Sequence, residues 1–181
     1  MNRTVRAFCP VAGSPRNVEH AFLMEPRHWV PSVDSQGHEA QLDDALQVVV
    51  RAGALSRHVR LTLGKPWRKG STIWRSLQWD PVAGDGAATT IDRWLPSLDG
   101  ELGLNRRRPS DQLTLVLDAR YLPPGGSLGS AIDAAVLGRL AQTTVERFLV
   151  NVAARLTAES MLVSPSDLHR AGASASTAPP G

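Results

Sequence analysis

The chain has 181 residues, 42% of them hydrophobic and 20% charged, with a formal net charge of +3 from 20 basic and 17 acidic side chains. That length suits one domain with a sizeable core plus an appendage, and the composition is that of an ordinary globular chain, which excludes disorder throughout. No run approaches the roughly 20 apolar residues that span a bilayer, and the basic residues are interspersed with acidic ones, so neither integral membrane association nor nucleic-acid binding is expected.

Residues 1–6 lack an apolar h-region and a small-residue cleavage site, so a cytoplasmic location is expected. Cys9 is the single cysteine, which rules out an internal disulfide and reads as a small buried apolar residue rather than a nucleophile. Residues 4–9 are β-compatible and stop at Pro10. Ala12-Gly13-Ser14-Pro15 then turns into a helix, with Ser14 as N-cap and Pro15 at the first helical position. Val18, Ala21 and Phe22 share one face of this short helix. Glu25-Pro26 opens a second short helical piece carrying Trp29, and Pro31 ends it.

From about residue 44 the period changes to two. Leu46, Val48 and Val50 alternate with Gln47 and Arg51, and Val59, Leu61 and Leu63 with His58, Arg60 and Thr62; further strands are expected at 71–79, 88–95, 101–105 and 111–121. Turn residues fill the gaps: Gly53, Gly64 with Pro66, Gly84-Asp85-Gly86, Pro96 with Asp99-Gly100, and Arg106-Arg107-Arg108 with Pro109, read as a solvated hairpin tip. Six successive strands with short connections predict an antiparallel meander. In the last strand Leu113, Leu115, Leu117, Ala119 and Tyr121 fall on one face, and only Val116 interrupts the polar side.

Pro123-Pro124-Gly125-Gly126 halts that strand, and residues 130–133 have the form of a capping box. A helix over 128–159 follows, presenting Ala134, Leu137, Ala141, Val145, Phe148, Val152 and Leu156 at spacings of three and four. Its length, about 45 Å at helical rise, is enough to cross a whole sheet. Met161, Leu162 and Val163 are expected to add an apolar contact, and the remainder of 161–181 reads as a flexible Ser/Ala/Pro/Gly-rich tail. The expected organisation is therefore one α+β domain over 1–160 in which a curved antiparallel sheet of about seven strands is crossed by a long C-terminal helix.

The order strand, two short helices, six strands, long helix resembles the helix-grip fold of the SRPBCC superfamily, which includes START domains, Bet v 1-like proteins and polyketide cyclase-like proteins. The resemblance covers about residues 4–159. Its most specific pieces are 113–129 (LTLVLDARYLPPGGSLG), Asp133 and 141–149 (AQTTVERFL), which look like uncharacterised actinobacterial members. It implies a cavity between the concave sheet face and the long helix, of the kind that holds sterols, lipids, polyketides or plant hormones in the superfamily and in some members hosts cyclisation or dehydration.

Within such a frame the residues divide by type. Trp29, Trp74 and Trp94 suit a pocket for a flat apolar ligand or, equally, core filling. An unbulged strand cannot point both Trp74 and Trp79 inward. Arg75 shares a face with Ile73, Leu77 and Trp79, so if inward it must meet Asp92 across the sheet, another partner, or a ligand anion. Asp92, Arg93, Tyr121, Thr144 and Phe148 complete the candidate ligand-binding set. The five histidines show neither the spacing nor the carboxylate neighbours of a metal site, no cofactor motif is present, and no serine-hydrolase elbow or phosphate loop occurs. The leading reading is non-enzymatic binding or carriage of a small apolar ligand. A cyclase- or dehydratase-like enzyme and a filled-core interaction module are the alternatives, and a homodimer is left open. An empty void of ~300 Å³ would cost on the order of 7 kcal/mol, so the space must be filled or used.

Overall fold

The computed structural model describes residues 3–31, 45–52, 55–82, 97–107, 111–121 and 134–163. The elements run β1 (Arg3–Val11), α1 (Pro15–Leu23), a single 3-10 turn (Pro26–His28), β2 (Ala45–Ala52), β3 (Leu55–Leu63), β4 (Trp67–Lys69), β5 (Thr72–Pro81), β6 (Leu98–Arg107), β7 (Gln112–Tyr121) and α2 (Ala134–Leu162). The strands form one seven-stranded antiparallel sheet in the order β1-β7-β6-β5-β3-β2, with β4 pairing β5. β2 pairs β3, β4 pairs β5, β5 pairs β6 and β6 pairs β7, as the meander reading expects, whereas β3 pairs β5 and not its chain neighbour β4. The N-terminal strand closes the far edge by pairing with β7.

The long helix α2 touches both β1 and β2, the two opposite edges of the sheet. Only a sheet that curls around the helix brings both edges to it, and this is the helix-grip arrangement. The contact is apolar on both sides. Val145, Phe148, Leu149, Val152, Ala153 and Leu156 of α2 are buried against the inner sheet face, and fully burying each larger side chain is worth about 1.5–3 kcal/mol before entropy is subtracted. Asn17 Nδ2 donates to the Ser160 carbonyl and Thr157 Oγ1 to the Ala12 carbonyl, tying the turn and helix of the N-terminal segment to the end of α2.

Several local expectations give way to the ladder. Pro10 lies inside β1 rather than ending it, which is tolerated because β1 is an edge strand and proline's missing N–H leaves no central ladder bond unmade. Asp99 and Gly100 form part of β6 instead of a turn, paired with Arg120 and Ala119 on one side and with Gln78 and Leu77 on the other. Arg106 and Arg107 likewise belong to β6. Arg106 bonds Asp111 at 3.1 Å and lies 3.8 Å from Glu19 of α1, so it is no solvated tip. Trp67–Lys69 forms a strand that the pattern did not predict. Met161 and Leu162 extend α2 but stay exposed, since the sheet does not reach that turn. The predicted strand at 88–95, the capping box and the tail beyond 163 lie outside the described residues.

Candidate functional site

The inner face is built from cross-strand rows. One row runs Tyr121, Leu98, Trp79, Leu61, Leu46 through directly paired positions of β7, β6, β5, β3 and β2. Trp79 meets Phe148 of α2 edge to face, with ring centroids 5.8 Å apart, a favourable geometry in which the positive ring edge meets a negative face. Tyr121 is 4% exposed. Among the described residues its hydroxyl has no hydrogen-bond partner. A Cβ built on Gly138 of α2 would find, among the described residues, only the Tyr121 hydroxyl within 4 Å, at 3.9 Å. The adjacent inner row, Val5, Ala119, Gly100, Leu77, carries little side-chain volume at its centre. Tyr121 is therefore a buried polar group between a helix position without a side chain and a stretch of small residues.

Further along the sheet, Arg75 is 4% exposed and its three guanidinium nitrogens donate to backbone carbonyls. Nε reaches the Phe22 carbonyl, Nη1 the Gly64 carbonyl at 2.9 Å, and Nη2 the carbonyls of Phe22, Leu23 and Met24. Phe22–Met24 is the C-terminal end of α1, whose last carbonyls have no intrahelical partner and carry the negative end of the helix dipole. The guanidinium carbon also lies 5.8 Å from the Phe22 ring centroid and 5.9 Å from that of Trp29. Burial draws the Arg75 pKa below its ordinary value.

Of the predicted site residues, Tyr121, Thr144 and Phe148 are buried on the sheet and helix walls. Trp29 is fully buried but stacks on Phe22 with centroids 5.1 Å apart, beside Arg75, as the anchor of the N-terminal helical segment. Trp74 is corrected: it points outward with Ser76 and Gln78, because β5 buries Ile73, Arg75, Leu77 and Trp79 on its other face. Among the described residues the partner of Arg75 is a helix terminus. Asp92, Arg93 and Trp94 lie outside the described residues. Reasoning from sequence missed Gly138, whose signal was a glycine inside a helix, where it costs about 1 kcal/mol relative to alanine. Among the described residues no three His, Cys, Asp or Glu side chains gather as metal ligands, and no helix is long and apolar enough to cross a membrane.

No protein-family model and no curated protein matches the sequence. Solved structures do. The Zhui aromatase/cyclase from Streptomyces sp. R1128 is 14% identical over 89% of this chain and 94% of its own, with a TM-score of 0.49. A START superfamily protein from Mycobacterium smegmatis is 14% identical over 89% and 99%, with a TM-score of 0.46. Ginseng major latex-like protein 151 from Panax ginseng is 9% identical over 88% and 98%, with a TM-score of 0.49. At these identities the likeness is one of fold alone.

Proposed function

We propose that this chain is a cytoplasmic protein that binds or carries a small hydrophobic ligand of lipid-, polyketide- or aromatic-like character, held between the inner sheet face and α2. The observation that carries this reading is the Tyr121 hydroxyl, buried and without a partner among the described residues, facing the side-chain-free position at Gly138. A buried hydroxyl left unsatisfied costs about 1–3 kcal/mol. A ligand supplying a carbonyl or hydroxyl would recover that cost, and the surrounding Leu98, Trp79 and Phe148 would take its apolar body. One polar group in an apolar surround can orient a ligand by a hydrogen bond.

The cyclase or dehydratase reading requires an inward ionisable group offered to substrate. Arg75 is committed to backbone carbonyls, and the inward Tyr121 phenol would serve a bound ligand or a substrate alike, so no observation favours an enzyme over a carrier.

Native mass spectrometry of freshly purified protein tests the proposal, followed by thermal-shift screening with fatty acids, aromatic polyketides and sterols. The expected result is a retained adduct or a ligand that raises the melting temperature. Absence of both would remove the support for carriage.

A further inference from the structure

The outer face of the sheet carries a second apolar feature, unrelated to the ligand site. Phe8, Val116, Gly103, Trp74 and Trp67 are directly paired in succession across β1, β7, β6, β5 and β4. Together they form one uninterrupted apolar row across five strands on the face whose other residues are mostly polar. The Trp74 ring covers Gly103, since a Cβ there would lie 2.7 Å from it. Phe8 and Trp67 at the two ends are 61% and 38% exposed. Large side chains at the ends and none at Gly103 flatten a surface that would otherwise be convex.

We propose that this row is the centre of a self-association surface, in which two copies stack outer face to outer face about a two-fold axis lying along the row. The charge pattern selects both the partner and the axis. Rotation about the row places each β6 position opposite the position equally far on the other side of Gly103. Asp99 then faces Arg107 of the second copy and Arg107 faces its Asp99, giving two reciprocal opposite-charge contacts, while Glu101 faces Asn105. On β7, Asp118 faces Thr114 and Arg120 faces Gln112; on β1, Arg6 faces Pro10. Only the β4 edge brings like charges near one another, where the exposed Lys65 and Lys69 lie on either side of Trp67. A two-fold axis along β6 instead sets Asp99 on Asp99, Glu101 on Glu101 and Arg107 on Arg107, which is repulsive.

The patch is large enough for a specific but weak contact. Four strand spacings by eight residues of rise is about 19 by 27 Å, or roughly 500 Å² per copy. The pair then buries about 1,000 Å² in total, the lower bound for a specific interface.

Sedimentation velocity of the 181-residue chain up to about 200 µM tests this, since such a weak pair populates only at high concentration. The expected result is a reversible monomer–dimer equilibrium whose dissociation constant rises by roughly tenfold or more in Phe8→Asp. Trp67→Ser, a second exposed site, should weaken it in the same direction, and thermal melting checks that both variants remain folded. Arg107→Glu alone should weaken association, and the exchange Arg107→Glu with Asp99→Arg should restore it. Any of three results overturns the proposal: a monomer throughout the range, a Phe8→Asp variant that dimerises like the parent, or a charge exchange no tighter than its single variant. A monomer that instead floats with phosphatidylcholine–phosphatidylglycerol vesicles through Phe8 would assign the row to a lipid surface and likewise overturn it.

Discussion

Arg75 donates to the Phe22 carbonyl from two nitrogens, Nε at 3.3 Å and Nη2 at 3.1 Å, joining positions 53 residues apart in the sequence. The same side chain also takes the carbonyls of Leu23, Met24 and Gly64. A central strand thus caps the end of α1 with a cation, beside the rings of Phe22 on that helix and Trp29 after the 3-10 turn. The inward charge is explained by the fold itself, which leaves the chemistry of the inner face to Tyr121.

Replacing Arg75 with Met should destabilise the protein by about 3–5 kcal/mol, because several buried carbonyls lose a charged donor at once. Arg75→Lys should recover less than half of the loss, since one ammonium cannot span the α1 terminus and Gly64 together. Urea denaturation measures both. A loss below about 1 kcal/mol would show that water replaces the guanidinium, contrary to its burial.

Gly100 should tolerate no side chain. A Cβ there would clash with the Asp118 carbonyl oxygen and with Ala119 Cα, and neither is the end of a flexible chain that can move aside. Gly100→Ala is expected to cost at least the ~1–3 kcal/mol of an overpacked core. Gly103→Ala meets the Trp74 ring instead, and its cost should shrink in the Trp74→Ala background. Thermal melts of the four proteins in that double-mutant cycle measure the coupling.

These two glycines also mark where the sequence was legible and where it was not. The alternation of Leu113, Leu115, Leu117, Ala119 and Tyr121 reported its buried face directly, and Val18, Ala21 and Phe22 did the same at helical spacing, because in both cases the local period is the period of burial. Asp99-Gly100 carried the local chemistry of a turn, yet its glycine serves close approach between strands, a fact that depends on β7 and not on neighbours in sequence. The register of β5 decided between Trp74 and Trp79. Parity limited the choice to one, and only pairing with β3 and β6 named it. Arg75 was read as sharing a face with Ile73, Leu77 and Trp79, but its partner is a helix end brought beside it by the fold, which no spacing rule reveals.

Cys9 sits half-buried on the inner face of β1, opposite Leu115, and burial raises its thiol pKa above 9.0. Between 9.0 and the raised value the unfolded chain has lost the proton that the folded chain keeps, so the unfolded state binds fewer protons. The stability linked to Cys9 is then complete below pH 9.0 and declines as pH rises through the folded value. Iodoacetamide alkylation should follow the same shift, with a midpoint above 9.0 in the native protein and a return to the ordinary value in denaturant. A native midpoint at or below 9.0 would mean that the thiol is fully solvated.

Tyr121→Phe separates a ligand contact from a packing role by sign. If the hydroxyl is unpartnered in the free protein, its removal takes away an unsatisfied polar group, so stability should stay within about 0.5 kcal/mol or rise. If a ligand hydrogen-bonds there, its affinity should fall by roughly 5- to 15-fold, equivalent to about 1–1.5 kcal/mol. Gly138→Ala probes the opposite wall. Its methyl group meets nothing closer than 3.9 Å among the described residues, and alanine gains about 1 kcal/mol of helix propensity over glycine. The variant should therefore melt higher, while any ligand lying against Gly138 should bind more weakly. Calorimetric titration and thermal melts on both variants give the two readings independently. Stabilisation together with unchanged binding would place the ligand elsewhere, whereas stabilisation with weakened binding is what a contact at Tyr121 and Gly138 requires.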